Sequence, residues 1–168
     1  SSDVCSSDLP EGFRADYLLL ALNVALLWLA AALTYGLGRR LFDARAGLLA
    51  ALGLLVSMPL WRETVAVNGA PLAMVIALAT FWCWHRVELR ADENTGGRPP
   101  ILLLGLGAGC GLLFLTDYYA GVLLLVAIAY AAWRFSGAAR WIAMALVIVG
   151  ACVVSGSWLA RNVRIAGH

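Results

Sequence analysis

The fold is decided by residues 17–37, which read YLLLALNVALLWLAAALTYGL. Only Asn23, Thr34 and Gly36 interrupt the apolar character of this stretch, and no residue in it is charged. A transmembrane helix needs roughly 20 predominantly apolar residues to cross a hydrocarbon core of about 30 Å. The stretch meets this requirement, so we predict that it spans a membrane as one α-helix.

The rest of the chain shares this apolar character. Of its 168 residues, 62% are hydrophobic and 13% are charged, whereas a soluble domain has roughly 45–50% and about 25%. A fold of this length cannot bury so much apolar surface, because small folds leave a large share of their residues exposed. The composition excludes a soluble domain, a disordered chain and a nucleic-acid binder with a basic face. It predicts an integral membrane protein that has the lipid bilayer as its partner.

Residues 1–9 differ in character from the rest of the chain. They read SSDVCSSDL and lack the basic start and apolar middle of a signal peptide. From Asp3 onward, the segment can be encoded by a common sequencing-library adapter read in frame. We therefore interpret it as an assembly artefact, with a genuine polar tail as the alternative. The transmembrane domain is then residues 10–168, which we expect to be a piece of a longer protein.

Further apolar runs lie at residues 48–60, 65–84, 101–133 and 141–159. The first of them spans only if it is tilted inside protein or extended through residues 44–47. The second is interrupted by Asn-Gly-Ala-Pro, and we expect its helix to begin at Pro71, because proline is favoured at the first helical position. We interpret the polar residues 85–100, including His85, as a solvated connector.

The run at residues 101–133 is too long for one span. As a single helix it would measure roughly 50 Å at about 1.5 Å per residue, and its one charged residue is Asp117. Two short spans that turn at Thr116, Asp117 and Tyr118 fit a membrane better. The sequence thus predicts an all-α, polytopic transmembrane helix bundle with about six spans.

Arginine positions assign the helix ends to the two sides of the membrane. With the N-terminus outside, four arginines lie on the outer side and eight in inner loops: Arg14, Arg62, Arg161 and Arg164 outside, and Arg39, Arg40, Arg45, Arg86, Arg90, Arg98, Arg134 and Arg140 inside. The same split results if residues 101–133 are one span, so charge orients only the first half of the chain. The prediction of a turn at Asp117 therefore depends on the length of the apolar run and not on charge.

Under this topology, polar side chains gather at the outer helix ends. Acidic residues within a membrane usually face a partner or a cavity, because their insertion costs roughly 2.5–3.5 kcal/mol at the bilayer centre. Arginines can hold a phosphate, and carboxylates can bind a divalent cation or accept a proton. We predict a substrate-binding site formed by Arg62, Glu63, Asn68, Asp117, Tyr118, Arg161 and Asn162.

Each of these residues also has a purely structural explanation. Arg62 and Glu63 fit solvated loop residues or a surface pair, and Arg161 fits an interfacial anchor. Asp117 fits an N-cap of the following helix, and the two tyrosines after it fit an interfacial aromatic belt. Both interpretations stay open for every residue.

Glycines recur at helical spacing in the fourth run. Gly105-x-x-x-Gly109 and Gly107-x-x-x-Gly111 place small residues on neighbouring faces of one helix, which lets helix backbones approach closely. We expect these faces to pack within the chain, with a dimer interface as the alternative.

Three cysteines, Cys83, Cys110 and Cys152, lie inside apolar runs. None of them shows Cys-x-x-Cys or Cys/His metal-ligand spacing. Buried cysteine behaves as a small hydrophobic residue, so we expect neither a disulfide nor a zinc site. A divalent cation at the outer carboxylates is the one cofactor that stays open.

The order of the segments carries a family resemblance. The sequence GRRLFDARAGLLAA at residues 38–51 precedes a short apolar run that ends at Pro59. A glycine-rich helix then leads into Leu-Thr-Asp-Tyr at residues 115–118, and SWLARNVR occupies residues 157–164, before Gly167 and His168. This pattern resembles the polytopic GT-C glycosyltransferases of the protein O-mannosyltransferase and aminoarabinose-transferase kind.

Members of this family move a sugar from a polyprenyl-phosphate donor onto an acceptor at the outer face of the membrane. The resemblance implies the same donor here, an acceptor that the sequence does not identify, and the bacterial inner membrane as the location. It also implies that Arg62 or Arg161 steadies the leaving phosphate. Members carry their catalytic carboxylate upstream of the position of Tyr17, so we expect the base there. Many have Lys at the position of Asp117, which would reverse a contact to a lipid phosphate.

Two other classes of function stay open. A small-solute transporter fits the broken run at residues 65–84, because discontinuous helices mark many transport sites. Against it, the first three runs and the last three show no internal repeat, and the polar groups gather at one end of the spans. A non-catalytic membrane subunit is the third possibility.

Overall fold

The computed structural model describes residues 9–66, 68–92 and 100–166, and every regular element within them is helical. The elements are α1 (Leu9–Leu41), α2 (Ala44–Val56), α3 (Met58–Val65), α4 (Ala70–Asp92), α5 (Pro100–Thr116), a 3-10 turn (Tyr118–Gly121), α6 (Val122–Arg134) and α7 (Ala138–Ala166). The predicted all-α class is confirmed. The adapter interpretation of residues 1–9 falls, except for Leu9, outside the described residues.

Three of the described helices are long and apolar enough to cross a membrane: Asp16–Leu41 within α1, Ala70–Ala91 within α4, and Ala138–Ala166, which is α7. The helices α2 and α3 pass the same test as a pair bent by 54°. The described part of the chain therefore holds three to four candidate spans, as in a multi-pass membrane protein. The α5 helix and residues 118–134 are shorter apolar helices.

Of the two alternatives for the apolar run at residues 48–60, the structure has the extension through residues 44–47, since α2 begins at Ala44. The carboxylate of Asp43 accepts a hydrogen bond from the backbone N–H of Ala46 at 2.6 Å, which is the N-cap arrangement. The helix ends at Val56, and Pro59 stands in the first turn of α3. Proline is tolerated there because the first helical N–H groups have no partner within the helix.

The predicted connector at residues 85–100 is wrong over its first half. The helix α4 begins at Ala70, within one residue of the prediction, but continues to Asp92, so His85 is helical. Arg, Glu, Leu and Ala in this stretch are good helix formers, and Val87 is fully buried. The polarity of the stretch therefore marks the end of a helix. Residues 93–99 of the predicted connector lie outside the described residues.

The predicted turn at Asp117 is confirmed. The helix α5 ends at Thr116, and Asp117 adopts an extended backbone with φ −150° and ψ 118°. Its carboxylate accepts a hydrogen bond from the backbone N–H of Tyr119 at 3.0 Å. The run at residues 101–133 is thus two helices, and the capping explanation for Asp117 is confirmed for the 3-10 turn.

The chain divides into two compact units, Ser1–Val75 and Ile76–His168. In the first unit, α1 packs against the α2–α3 pair. The buried side chains of this core are Leu27, Ala31, Ala51 and Leu54. Gly38 and Gly47 stand where the α1 and α2 backbones meet, since a Cβ on Gly38 would lie 2.5 Å from the Cα of Gly47.

In the second unit, α5 packs against α7 along the glycine motif. A Cβ on Gly107 would collide with the backbone carbonyl of Val147, and one on Gly111 would lie 2.9 Å from the carbonyl oxygen of Ala151. On the other face of α5, a Cβ on Gly109 would collide with a side chain of α4. The predicted packing of these glycines within the chain is confirmed.

Candidate functional site

The α3 helix sorts its residues onto two faces. Leu60 and Trp61 pack against the core of the first unit, and Thr64 is fully buried. Arg62 and Glu63 are exposed. Residues three and four apart share one face of a helix, so the sequence LWRET places the two charged side chains opposite the core. They are helical, and not the loop residues that one interpretation expected.

The bend between α2 and α3 is held by Trp61. Its indole Nε1–H donates a hydrogen bond to the backbone carbonyl of Leu55 at 2.6 Å. Leu55 lies in the last turn of α2, where carbonyl groups lack a partner within the helix. The indole supplies that partner and fixes the direction of α3.

A cavity of about 300 Å³ lies on the outward face of α3, lined by Met58, Pro59, Arg62 and Glu63. No ion pair joins Arg62 to Glu63 in this structure. Among the side chains that the structure describes, in residues 16–66, 68–91 and 100–166, no carboxylate pairs with Arg62. A guanidinium group in this state can bind a phosphate through two parallel N–H donors.

The structure brings two predicted site residues, Glu63 and Asn68, together. The Nδ2 group of Asn68 donates a hydrogen bond to the Glu63 carboxylate, and its Oδ1 accepts one from the backbone N–H of Gly69 at 2.8 Å. The backbone N–H of Asn68 also donates to the carbonyl of Glu63 at 3.2 Å. The carboxylate is therefore oriented, and both side chains stay exposed.

Asn23 of α1 bonds to the end of α3 and to the turn after it. This residue was not among the predicted site residues. Its Nδ2 group donates to the backbone carbonyls of Thr64 and Asn68, each at 3.4 Å, and the residue is only 8% exposed. A signal was present in the sequence. A polar amide inside an apolar span usually bonds to another helix.

In the second unit, Asp117 and Tyr118 sit together at the turn after α5. Tyr118 is 72% exposed, and its ring meets Phe114 edge-on with centroids 5.6 Å apart. An apolar cavity of about 420 Å³ adjoins them, with Phe114, Tyr118, Gly121 and Ser155 in its lining. The turn thus offers one carboxylate, which is engaged in a cap, and the aromatic hydroxyls of Tyr118 and Tyr119.

Arg161 and Asn162 lie near the end of α7, with Arg161 exposed and Asn162 half-buried. No hydrogen bond or ion pair joins either of them to Asp117 or Tyr118. The seven predicted residues thus fall into three local groups: one on α3 and the turn after it, one after α5 and one on α7. That all seven form a single site stays a prediction.

A further polar cluster, which the sequence analysis missed, joins α4 to α6. Arg134 pairs with Glu88 through Nε at 3.1 Å, and the hydroxyl of Tyr130 donates to the same carboxylate. Tyr130 also packs against Trp84 with ring centroids 4.8 Å apart. Tyr130 and Arg134 are four residues apart and share a helix face. The cluster fixes α6 on α4 and offers no free acid or base.

Among the residues that the structure describes, no three His, Cys, Asp or Glu side chains are grouped to hold a metal ion. The carboxylates of Glu63 and Asp117 each bond to a neighbouring N–H group. A divalent cation at either one would need further ligands, such as the phosphate oxygens of a substrate.

Comparison with known proteins gives one clear match. The sequence model of the dolichyl-phosphate-mannose-protein mannosyltransferase family matches residues 14–158. No curated protein and no solved structure matches the chain. The matched segment runs from α1 into α7 and includes every predicted site residue except Arg161 and Asn162. Because it covers most of the chain, this protein belongs to the dolichyl-phosphate-mannose-protein mannosyltransferase family, whose members are membrane glycosyltransferases that take their sugar from a polyprenyl-phosphate donor.

Proposed function

We propose that this chain is part of a glycosyltransferase that moves a sugar from polyprenyl phosphate to an acceptor at the outer face of the bacterial inner membrane. The family match over residues 14–158 carries the proposal. The proposed arrangement has six spans: α1, the α2–α3 pair, α4, α5, residues 118–134 and α7. The shortest single helix among the spans before residue 118 is α5, which has 17 residues. It is roughly 25 Å long at about 1.5 Å per residue, close to the hydrocarbon core of about 30 Å.

The proposed reaction is a direct displacement at the anomeric carbon of the sugar. A nucleophilic atom of the acceptor forms a bond to this carbon, and the bond from the carbon to the phosphate oxygen breaks. The electron pair leaves with the polyprenyl phosphate, and the acceptor's proton passes to a carboxylate base. We expect this base upstream of Tyr17.

The side chains of this chain would then bind the substrates. Arg62 or Arg161 would steady the phosphate as its negative charge grows, because hydrogen bonds between arginine and phosphate are strengthened by charge. Glu63 and Asn68, which are bonded to each other, would face the sugar or the acceptor. Asp117, Tyr118 and Asn162 are the other side chains that we propose to contact the substrates.

The experiment uses the protein expressed from the complete reading frame and reconstituted in liposomes. Transfer is followed with radiolabelled polyprenyl-phosphate mannose, and then with other polyprenyl-linked sugars. The Arg161→Ala variant should insert normally but lose most sugar transfer. Unchanged transfer in that variant would remove Arg161 from the site, and release of no sugar from any donor by the parent protein would refute the proposed function.

A small-solute transporter is the second candidate, favoured by the 54° bend between α2 and α3. Broken helices line the substrate sites of many transporters. The same liposomes distinguish the two functions. A transporter would accumulate free sugars or amino acids inside them without consuming the polyprenyl-phosphate donor, whereas the proposed transferase would consume it.

A further inference from the structure

The carbonyl groups at the end of α3 need hydrogen-bond donors from outside the helix. The last four carbonyl groups of an α-helix have no partner within the helix. In α3, the carbonyl of Arg62 accepts from the N–H of Ala66 at 2.9 Å, and that of Glu63 accepts from the N–H of Asn68 at 3.2 Å. The N–H of Ala66 is shared with the carbonyl of Thr64, which therefore has no local donor of its own. Next along the chain, the buried Thr64 uses its own hydroxyl to bond back to Leu60.

Asn23 supplies a donor from a different helix. Its amide group has two N–H donors, and Nδ2 lies 3.4 Å from the carbonyl oxygen of Thr64 and 3.4 Å from that of Asn68. One side chain of α1 thus caps α3 and also holds the turn after it. Both contacts cross more than 40 residues of sequence, so they fix the tertiary position of the turn.

The position of Asn23 along α1 places the turn after α3 beside the apolar run of α1. Asn23 lies six residues after Tyr17, where the apolar run begins, which is roughly 9 Å at about 1.5 Å per residue. Non-helical backbone at membrane depth is tolerated only where it is buried in protein or lines a water-filled cavity. The exposed pair of Glu63 and Asn68, next to a cavity, fits the second case.

We infer that Asn23 is a positioning residue, which holds the turn after α3 below the membrane surface and thereby orients the Glu63–Asn68 pair toward the substrate. This inference rests on the proposed function. Asn23 touches no substrate itself, because it is buried and its amide is bonded to backbone carbonyls. Its effect passes through Asn68, whose backbone it holds and whose side chain meets Glu63.

The test compares Asn23→Leu with Thr34→Ala in the complete protein. Thr34 lies on the same helix, but its hydroxyl bonds only to the carbonyl of Ala30, one turn earlier, so it is a matched control. The Asn23→Leu variant should lower kcat/KM per folded molecule about tenfold, which is less than the roughly hundredfold that a misplacement of about 1 Å can cost. Asn23→Gln, which keeps the amide, should recover part of the rate, and Thr34→Ala should leave it unchanged.

A second measurement does not depend on sugar transfer. A spin label at the exposed Ala66, on a background with the native cysteines replaced by alanine, reports the mobility of the turn. The label should become more mobile in Asn23→Leu and stay unchanged in Thr34→Ala. If the leucine variant does not insert, Asn23→Ser replaces it.

The two measurements separate the inference from the proposed function. An immobile label in Asn23→Leu would overturn the inference, as would a mobile label with a normal transfer rate. A parent protein that transfers no sugar refutes the proposed function, whereas the label still reports whether Asn23 holds the turn.

Discussion

The α3 segment and the α5–α7 pair are fixed in different ways. In the first unit, polar side chains bond to backbone carbonyls: Trp61 to Leu55 across the bend, and Asn23 to Thr64 at the end of α3. In the second unit, α5 and α7 touch backbone to backbone. Their closest approaches are at Gly107 and Gly150, where a Cβ would collide with a carbonyl group of the facing helix.

Under the proposed function, this difference distinguishes a packed support from a substrate-binding surface. Close packing of small residues brings the two helix backbones into direct contact, which suits a permanent interface. A short helix held by a few hydrogen bonds can keep its other face open, and α3 presents Arg62 and Glu63 there. Under the proposed function, the exposed face of α3 binds substrate, whereas the faces of α5 and α7 that touch each other support the fold, and substitutions can test both roles.

The largest effect on the free energy of unfolding is expected at the contact between α5 and α7. Gly107→Ala should destabilise the protein by about 1–3 kcal/mol, the usual cost of overpacking, because the added Cβ meets the Val147 carbonyl. Gly156→Ala is the matched control, since nothing lies within 4 Å of its Cβ and alanine is the better helix former. Thermal unfolding in detergent measures both. Equal stability of the two variants would show that α5 and α7 are not packed as described.

The next effect is expected at the bend of α2 and α3. Trp61→Phe keeps an aromatic ring in the core but leaves the Leu55 carbonyl without its donor. Loss of a partner for a partly buried polar group costs about 1–3 kcal/mol, so unfolding should occur at a lower temperature. Sugar transfer should fall as well, because α3 loses its direction. A variant as stable and as active as the parent would contradict the role given to the indole.

The smallest effect is expected at Asp117, which sharpens the comparison because it is a polar group in the packed unit. Asp117→Ala removes the cap on the 3-10 turn and should cost about 0.5–2 kcal/mol, whereas Asp117→Asn keeps an acceptor and should cost less. If Asp117 is mainly a cap, Asp117→Asn should keep nearly the full transfer rate. Loss of transfer at unchanged stability would instead give its charge a role in substrate binding.

Hydropathy and length predicted most of the helices. The turn at Asp117 followed from the excessive length of one apolar run, and the extension of α2 to Ala44 followed from a run that was too short. The polar composition after Trp84 gave a wrong prediction, a connector that begins at His85. The helix continues there because Val87 is buried and Glu88 is paired with Arg134.

The site was less predictable than the fold. Glu63 and Asn68 are five residues apart, so their contact is local and could be expected. The partners of Asn23 lie 41 and 45 residues away, and no pattern in one sequence specifies such a contact. The cap at Asp117 needed only local geometry and was foreseen. The glycine spacing predicted close packing within the chain, but it did not identify α7 as the partner of α5.

The central claim is that α3 carries substrate-binding chemistry, and the rate of sugar transfer in Arg62→Ala and Arg45→Ala tests it most directly. Both arginines are exposed, but Arg62 lines the α3 cavity, whereas Arg45 lies in the first turn of α2. Hydrogen bonds to charged groups contribute about 1.5–3 kcal/mol, so Arg62→Ala should lower the rate at least about tenfold, while Arg45→Ala keeps it. Equal rates in the two variants would contradict the account.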